Sequence, residues 1–554
     1  MSALTVPFLM PRVEEVVPDF AMLKDRLTGA SVVEERYTAT QVPSSGDSYT
    51  VGGSGTRLMI VRVANQNDYI DTSTMVLNFY AKGAGTVDVA LDDHVFSMID
   101  TINVKVGGQT VEVLNNVGHL VNALVQGSMP VNYYSQNGGF EGLYIYDKKN
   151  NSVNPPGTTT PAPLPAGGNS AAPAAHLAGT FPSINPNVTN SSLLDTKWWI
   201  GNQWLKKGRY YSVPLTLLGL CRIPTLFAAR NFQDITLEFL FRTQLQGCCW
   251  QPNSQTAGGA SLTSIAISDV TLTYDCCRMS ADYYALMDNE LKMPNGSGVA
   301  YAIDTYQVQP ASIPAGTAGP TADATSLIYA GENGGLTRIV VAKGTRFLKG
   351  VYGVTKTTAS ETSFLWRNNS TSGNFSFNSY QVVINSKRYP QLQIQSSAAA
   401  FQELQKSYNQ LGSVTGGALV NWFNFVGHPM PRTGAFTGAA TPVQSTVYQD
   451  GQASGTKDGT LLGAFPSDEA MFQNGVNLEQ FLTNQPDAGG INTSTSGYQI
   501  AIEIQNNGQT QTNPTSAADA TGTCFVTSAA LTHYVILHFT RVLTLKAGAV
   551  EVLD

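Results

Sequence analysis

The side chains in this chain that could do chemistry are few, and their spacing works against them. His94 follows Asp92 and Asp93 in LDDHVF, which on composition could be a metal or acid–base cluster. Three successive side chains of a strand point to alternate faces, so the triplet reads better as a turn with solvated charges. His533 and His538 stand five apart in an apolar strand region and so fall on opposite faces, the wrong arrangement for joint ligation. His119 is placed on the solvent side of a short helix, and His428 precedes Pro429 in a loop. Neither has a cysteine or carboxylate at ligand spacing. Glu238 and Glu503 occupy similar strand positions, but glycoside hydrolysis needs two carboxylates about 5 to 10 Å apart across one cleft. These two belong to different halves of the chain and are expected to face outward.

Other motifs fail in the same way. There is no G-x-S-x-G elbow and no G-x-x-x-x-G-K-[ST] phosphate loop. The glycine-rich runs 52–55 (GGSG) and 331–335 (GENGG) lack the strand-to-helix context of a phosphate cradle and read as turns. The sequons at Asn187, Asn369 and Asn374 matter only on a secretory route. Six cysteines include the adjacent pairs Cys248–Cys249 and Cys276–Cys277, with no CxxC spacing, and are expected to be small buried thiols. The expectation is therefore no catalytic residue, no metal site and no cofactor.

Positioning elements are easier to read than chemistry. Charged residues make up only 13% of the chain, about half the usual share, and Gly, Ser, Thr, Asn and Gln take their place. So neutral a surface suits β-strands, long loops and a life spent packed against other copies. The net charge of -7, with no basic run beyond Lys206–Lys207, argues against wrapping nucleic acid, which depends on phosphate neutralisation. No basic leader opens the stretch MSALTVPFLMPRVEEVV, so no secretory signal is expected, and no apolar run approaches the ~18 residues of a membrane span.

The stretch Ser97–Leu124 sets the plan. Ile102, Val104 and Val106 alternate as a strand, Gly107–Gly108 turn it, Thr110, Val111 and Val113 return, and Val117, Leu120, Val121 and Leu124 fit a short helix. Near residue 380 the order recurs: a strand at Val382–Ile384, a turn at Asn385–Lys387, a strand at Leu392–Ile394 and a helix over 397–411. Tyr498–Ile504 resembles Asp234–Leu240, and Val270–Tyr274 has a counterpart in Tyr534–Phe539. Three matches in one order predict a duplicated, all-β chain of two tandem eight-stranded jelly-roll sandwiches with short helices and long loops. The domain plan is an N-terminal arm at 1–36, a first sandwich at 37–279 and a second at 280–554. Long Pro/Gly/Ala- or Thr/Gly/Gln-rich loops are expected at 150–192, 309–325 and 430–460.

VPLTLLGL (213–220), RNFQDITLEFLF (230–241), LTYDCCRMSADYYALMDNEL (272–291), YQVVINSKRYP (380–390) and HYVILHFTRVLTLKAGAVEVLD (533–554) carry a resemblance. The chain resembles the double jelly-roll major capsid proteins of icosahedral DNA viruses, the lineage of the adenovirus hexon and of tailless membrane-containing phages. That resemblance implies a homotrimeric, pseudo-hexagonal capsomer located in the virion shell, with loops in an outward crown and the arm at the inner base. Its implied partners are the chain itself and neighbouring capsomers. Penton, minor capsid or cement proteins and an internal membrane are further candidates, and no sequence-specific nucleic acid is implied. No catalytic residues are implied either. The alternative from the residues is a secreted all-β carbohydrate-binding or adhesion protein, with Trp198, Trp199, Trp204 and Trp250 stacking on sugars.

Overall fold

The computed structural model describes residues 33–129, 208–250, 262–292, 299–357, 377–411, 472–479, 490–506 and 531–553, less short gaps within these ranges, together with Val420 and Phe425. The expected arm up to residue 32, the loops 150–192 and 430–460, and Trp198, Trp199, Trp204 and His428 lie outside the described residues.

The first eight principal strands are β1 (Val33–Gln41), β2 (Leu58–Val63), β3 (Tyr69–Gly85), β4 (Ile99–Val106), β5 (Gln109–Asn115), β6 (Arg209–Pro214), β7 (Ile235–Phe241) and β8 (Leu262–Met279). They form two antiparallel sheets, ordered β1-β8-β3-β6 and β2-β7-β4-β5. Strands such as β2, β4 and β7 are buried on alternate residues because one sheet face is wet and the other faces its partner sheet. In β7 the inward set is Ile235, Leu237, Phe239 and Phe241, and in β4 it includes Ile102, Val104 and Val106.

The second eight are β9 (Val299–Ile313), β10 (Leu336–Val341), β11 (Phe347–Thr357), β12 (Phe377–Ile384), β13 (Lys387–Ile394), β14 (Gln473–Asn477), β15 (Ile500–Asn506) and β16 (Leu531–Lys546). Their sheets are ordered β9-β16-β11-β14 and β10-β15-β12-β13. Adding eight to every strand of the first sandwich reproduces the second. This is the jelly-roll order twice over. The three sequence matches fall on equivalent strands: β4–β5 with β12–β13, β7 with β15, and β8 with β16. A closing strand, β17 (Ala549–Leu553), pairs with β16.

Among the described residues three helices of eleven or twelve residues accompany the strands: α1 (Val117–Ser128) after β5, α2 (Ala281–Lys292) between the sandwiches, and α3 (Ser397–Ser407) after β13. The Ser396 side chain caps α3 by accepting from the Ala399 amide. The hairpin turns preceding α1 and α3 are also alike. Gly107 and Gly108 have φ of 56° and 79°, and Asn385 and Ser386 have 46° and 69°. Two consecutive positive φ values let a two-residue turn follow the twist of its strands.

Several expectations need correction. β1 starts at Val33, inside the stretch read as arm, because its exposed face (Glu34, Arg36, Thr38) hides the alternation. The loop expected at 309–325 begins too early: Gln309–Ile313 continue β9, paired with Leu531–Val535. Pro310 is tolerated there because β9 is the outer strand of its sheet, where a missing N–H breaks no ladder. β11 and β14 were not legible at all. β11 (FLKGVYGVTKT) carries two lysines and two glycines, and β14 (QNGVN) has one apolar side chain. Yet Lys349, Lys356, Gln473 and Asn474 are all buried. Gly475 lets α3 lie close on β14, since a Cβ there would stand 2.9 Å from Leu404 Cδ1 and displace that side chain.

Candidate functional site: the seam between the two sandwiches

The sandwiches meet where β5 lies against β9. Sequence logic places a polar residue there: Glu112 sits between Val111 and Val113, and it is fully buried. A bare carboxylate in that position would be costly to desolvate. It is met from both halves. The Gly219 amide donates to its two oxygens at 3.1 and 3.0 Å, and Thr305 Oγ1 of β9 donates at 2.7 Å. Burial pushes the Glu112 carboxyl up, against Thr305, Gly219, Arg222 and Arg541, which favour the charged form. Gly219 must be glycine for the halves to close, because a Cβ would fall 2.1 Å from the Asp304 carbonyl oxygen.

Next to Glu112 lies a denser polar knot centred on Asp304 of β9. Lys349 Nζ of β11 and Thr540 Oγ1 of β16 each donate to Asp304 Oδ1 at 2.6 Å. Burial works to raise this carboxyl, but Lys349 and Thr540, which donate to it, outweigh burial and hold it below the usual carboxylate range. Burial pushes His538 down to about 3, so its ring is neutral at pH 7 and the cation opposite Asp304 is Lys349. From the first half Arg222 reaches across. It donates to the Asp304 carbonyl at 2.5 Å and to Tyr306 Oη at 3.2 Å, and lies 5.1 Å from the centre of that ring. Burial opposes its charge, but Tyr306, Asp304 and Glu112 overcome that and leave its pKa raised. Arg541 of β16 closes the row by donating to the Val111 carbonyl at 2.6 Å.

The seam is apolar and aromatic on either side of this knot. Tyr301 of β9 packs on Phe227 and Phe232, with centroids 5.0 and 5.5 Å apart. Its hydroxyl accepts from the Ala228 amide and donates to the Leu226 carbonyl. Val550 of β17 presses on Gly107. Elsewhere the helices meet: Tyr408 lies over Gly127 of α1 and donates to the Ala123 carbonyl, and the His119 ring sits 4.0 Å from that of Tyr534.

The individually considered residues fare as follows. His119 is buried in the seam, not on the solvent side of its helix; the helix has no free face there because the second half covers it. His94 is also buried, not solvated, while Asp92 and Asp93 lie outside the described residues. The His94 Nδ1 accepts from the Phe96 amide and starts a short 3-10 turn (Val95–Met98). His533 and His538 lie in separate surroundings, the first bonded to Thr355 and the second stacked on Tyr306. Glu238 points outward and pairs with Lys105 of β4 at 2.6 Å; that bond holds it below the usual carboxylate range. Glu503 stands opposite Arg338 and Gln381 in the second half. The 52–55 run is a turn, with Gly52 and Gly53 at positive φ. Cys221, Cys248, Cys249, Cys276 and Cys277 are buried thiols. Among the described residues no three His, Cys, Asp or Glu side chains converge on a possible metal position, and no helix is long and apolar enough to cross a membrane. Sequence reasoning missed Glu112, Asp304 and Lys349. For Glu112 a signal existed: a carboxylate inside a strand whose neighbours on both sides are apolar.

Strand order and seam together define a tandem double jelly-roll protein. No family model and no curated protein matches the chain. Among solved structures, it is similar to a chain of a quasi-atomic capsid structure of the virus PBCV-1, at 12% identity and a TM-score of 0.49, covering 95% of this chain and 98% of that one. It is also similar to a chain of the Sputnik virophage structure, at 9% identity and a TM-score of 0.48, covering 94% and 89%. For the mavirus major capsid protein the values are 8%, 0.47, 95% and 92%. The fold assignment rests on this chain's own strand pairing.

Proposed function

We propose that this chain is the major capsid protein of an icosahedral DNA virus, a structural building block and not an enzyme, which works as a homotrimer in the virion shell. One observation carries the reading. Inside a single chain, the edge strand β5 of the first sandwich is covered by β9 of the second, while among the described residues no second sandwich covers the equivalent strands β13 and β1. Val111, Glu112 and Leu114 of β5 are fully buried. On β13, counting back two residues from buried Ile394 as Glu112 stands to Leu114, Leu392 is 86% exposed. Lys387 and Arg388 are exposed on β13 and could meet Glu34, exposed on β1; the neighbouring Glu35 and Arg36 already pair within the chain, with Arg278 and with Asp71 and Asp275.

An open edge of each kind on one body makes a head-to-tail contact, and such contacts form rings when the rotation closes. Three copies would join β13 to β1 three times, giving six like sandwiches in a ring and a six-sided tile. A permanent contact of this kind buries about 2,000 Å² or more. Neighbouring tiles would then meet through weaker polar contacts that add up across the shell. In the same reading the stretch preceding β1 forms an arm at the base, where minor capsid or cement proteins, pentons or an internal membrane would be met.

Size-exclusion chromatography with light scattering tests the assembly. The expected particle has about three times the chain mass of 59.1 kDa, with a six-sided outline in negative stain. A monomer at micromolar concentration would end the proposal.

A further inference from the structure

A second feature lies at one end of the β2-β7-β4-β5 sheet, away from the Asp304 knot. A cavity of about 230 Å³ opens between Arg57, which precedes β2, and Arg242, which follows β7, with Asn116 at the start of α1 on the same wall. Its walls are fixed by the backbone. The Phe241 amide donates to the Arg57 carbonyl and the Arg242 amide to the Met98 carbonyl, both at 3.0 Å. Within this frame Arg242 Nε and Nη2 are shielded from solvent, and no acceptor among the described residues meets them. Buried N–H groups of a cation without acceptors are costly, and an oxyanion supplies what they lack. Gly247 keeps the space open, since a Cβ there would lie 2.5 Å from Arg242 Nη1.

Two further observations point to the same ligand sign. α1 begins at this wall, and the Asn116 side chain makes no capping bond, which leaves first-turn amides of a twelve-residue helix to other acceptors. Asp100 also lines the cavity but forms no ion pair with either arginine among the described residues, so two cations face one anion. His119 adds no charge at neutral pH, because burial, with help from Lys356 and Arg242, holds its pKa well below the ordinary value.

We infer that this cavity is an oxyanion site that takes a small tetrahedral anion of the phosphate or sulfate class, bound by the Arg242 and Arg57 guanidinium groups. Tyr534 of the second sandwich forms part of the lining, so an anion here ties the end of the first sandwich to the second. The inference stands whether or not the chain builds a capsid.

The test uses the full chain with inorganic phosphate as the probe. Phosphate, compared with chloride at equal ionic strength, should raise the thermal midpoint, and equilibrium dialysis should count one phosphate per chain. Arg242→Gln should weaken binding at least tenfold, and Arg57→Gln less. Arg62→Gln, which removes a charge from the exposed face of β2, should change nothing. Should Arg242→Gln fail to fold, the dialysis count on the native chain and the Arg57→Gln variant still decide. A short oligonucleotide run in parallel distinguishes the source: a stronger response than to phosphate would assign a phosphodiester to the same arginines. Equal stabilisation by chloride, no bound phosphate in dialysis, or undiminished binding in Arg242→Gln would overturn the inference.

Discussion

β5 and β13 are the same strand of the same fold, and they live in different surroundings. β5 enters from a two-residue turn, returns along β4 and is buried by the second half of the chain. β13 enters from the matching turn, returns along β12 and meets solvent with Lys387, Arg388 and Leu392. The strands opposite them differ in the same sense. β9 is buried on both faces over much of its length, through Tyr301, Ile303 and Thr305 as well as Ala300, Tyr306 and Val308. β1 is at best half-buried. Jelly-roll topology therefore does not decide which edges are wet. What decides is whether a second sandwich stands beside them, and among the described residues that neighbour is present for one pair of edges only.

Four buried imidazoles, in both sandwiches, fail together in acid, and this gives the largest expected effect. Burial holds His94, His533 and His538 down to about 3, and His119 is also lowered. Each ring takes up a proton in the unfolded chain near pH 6.5 and not in the folded one. Their contribution is thus fully present above about pH 6.5 and is lost as pH falls toward 3, by up to about 2 kcal/mol per ring at pH 5. Urea midpoints measured at pH 7 and pH 5 should fall steeply; a flat profile would show that these rings are not buried. Asp304, held low, adds a further loss only below about pH 4.

Asp304→Ala comes next. It leaves Lys349, 5% exposed, without its carboxylate; because Asp304 itself is 28% exposed, the loss should fall below the ~3–5 kcal/mol of a fully buried pair. The loss should appear in the denaturation midpoint, and Lys349→Met in the same background should recover part of it. Smallest is Ser386→Gly. Ser386 holds a φ of 69° in the β12–β13 turn, where the first half has Gly108 at 79°. Restoring glycine should stabilise the chain by about 0.5–1 kcal/mol, read from the thermal midpoint.

Much of this architecture was legible from residues alone, because burial on one face writes itself as alternation. β7 was placed at Ile235–Phe241 with its inward and outward faces correct, and the three repeat matches landed on equivalent strands. What escaped was whatever the seam or a helix buries from outside. A strand with two covered faces loses its period of two. So Lys349 and Lys356 disguised β11, and the helix lying on Gly475 disguised β14. Glu112 and His119 went unrecognised for the same reason, since a side chain that looks solvated within its own element becomes buried once the second sandwich is docked. β1 failed in the opposite direction, its open face too polar to announce a strand.

The claim that the uncovered edges join separate copies is tested most directly by the light-scattering mass of Leu392→Asp beside that of the native chain. Leu392 is exposed within one chain, so the substitution should leave the urea midpoint within about 0.5 kcal/mol of the native value. The native chain should elute at about three times 59.1 kDa and the variant at the single-chain mass. A native monomer, or a Leu392→Asp trimer as tight as the native one, would contradict the account.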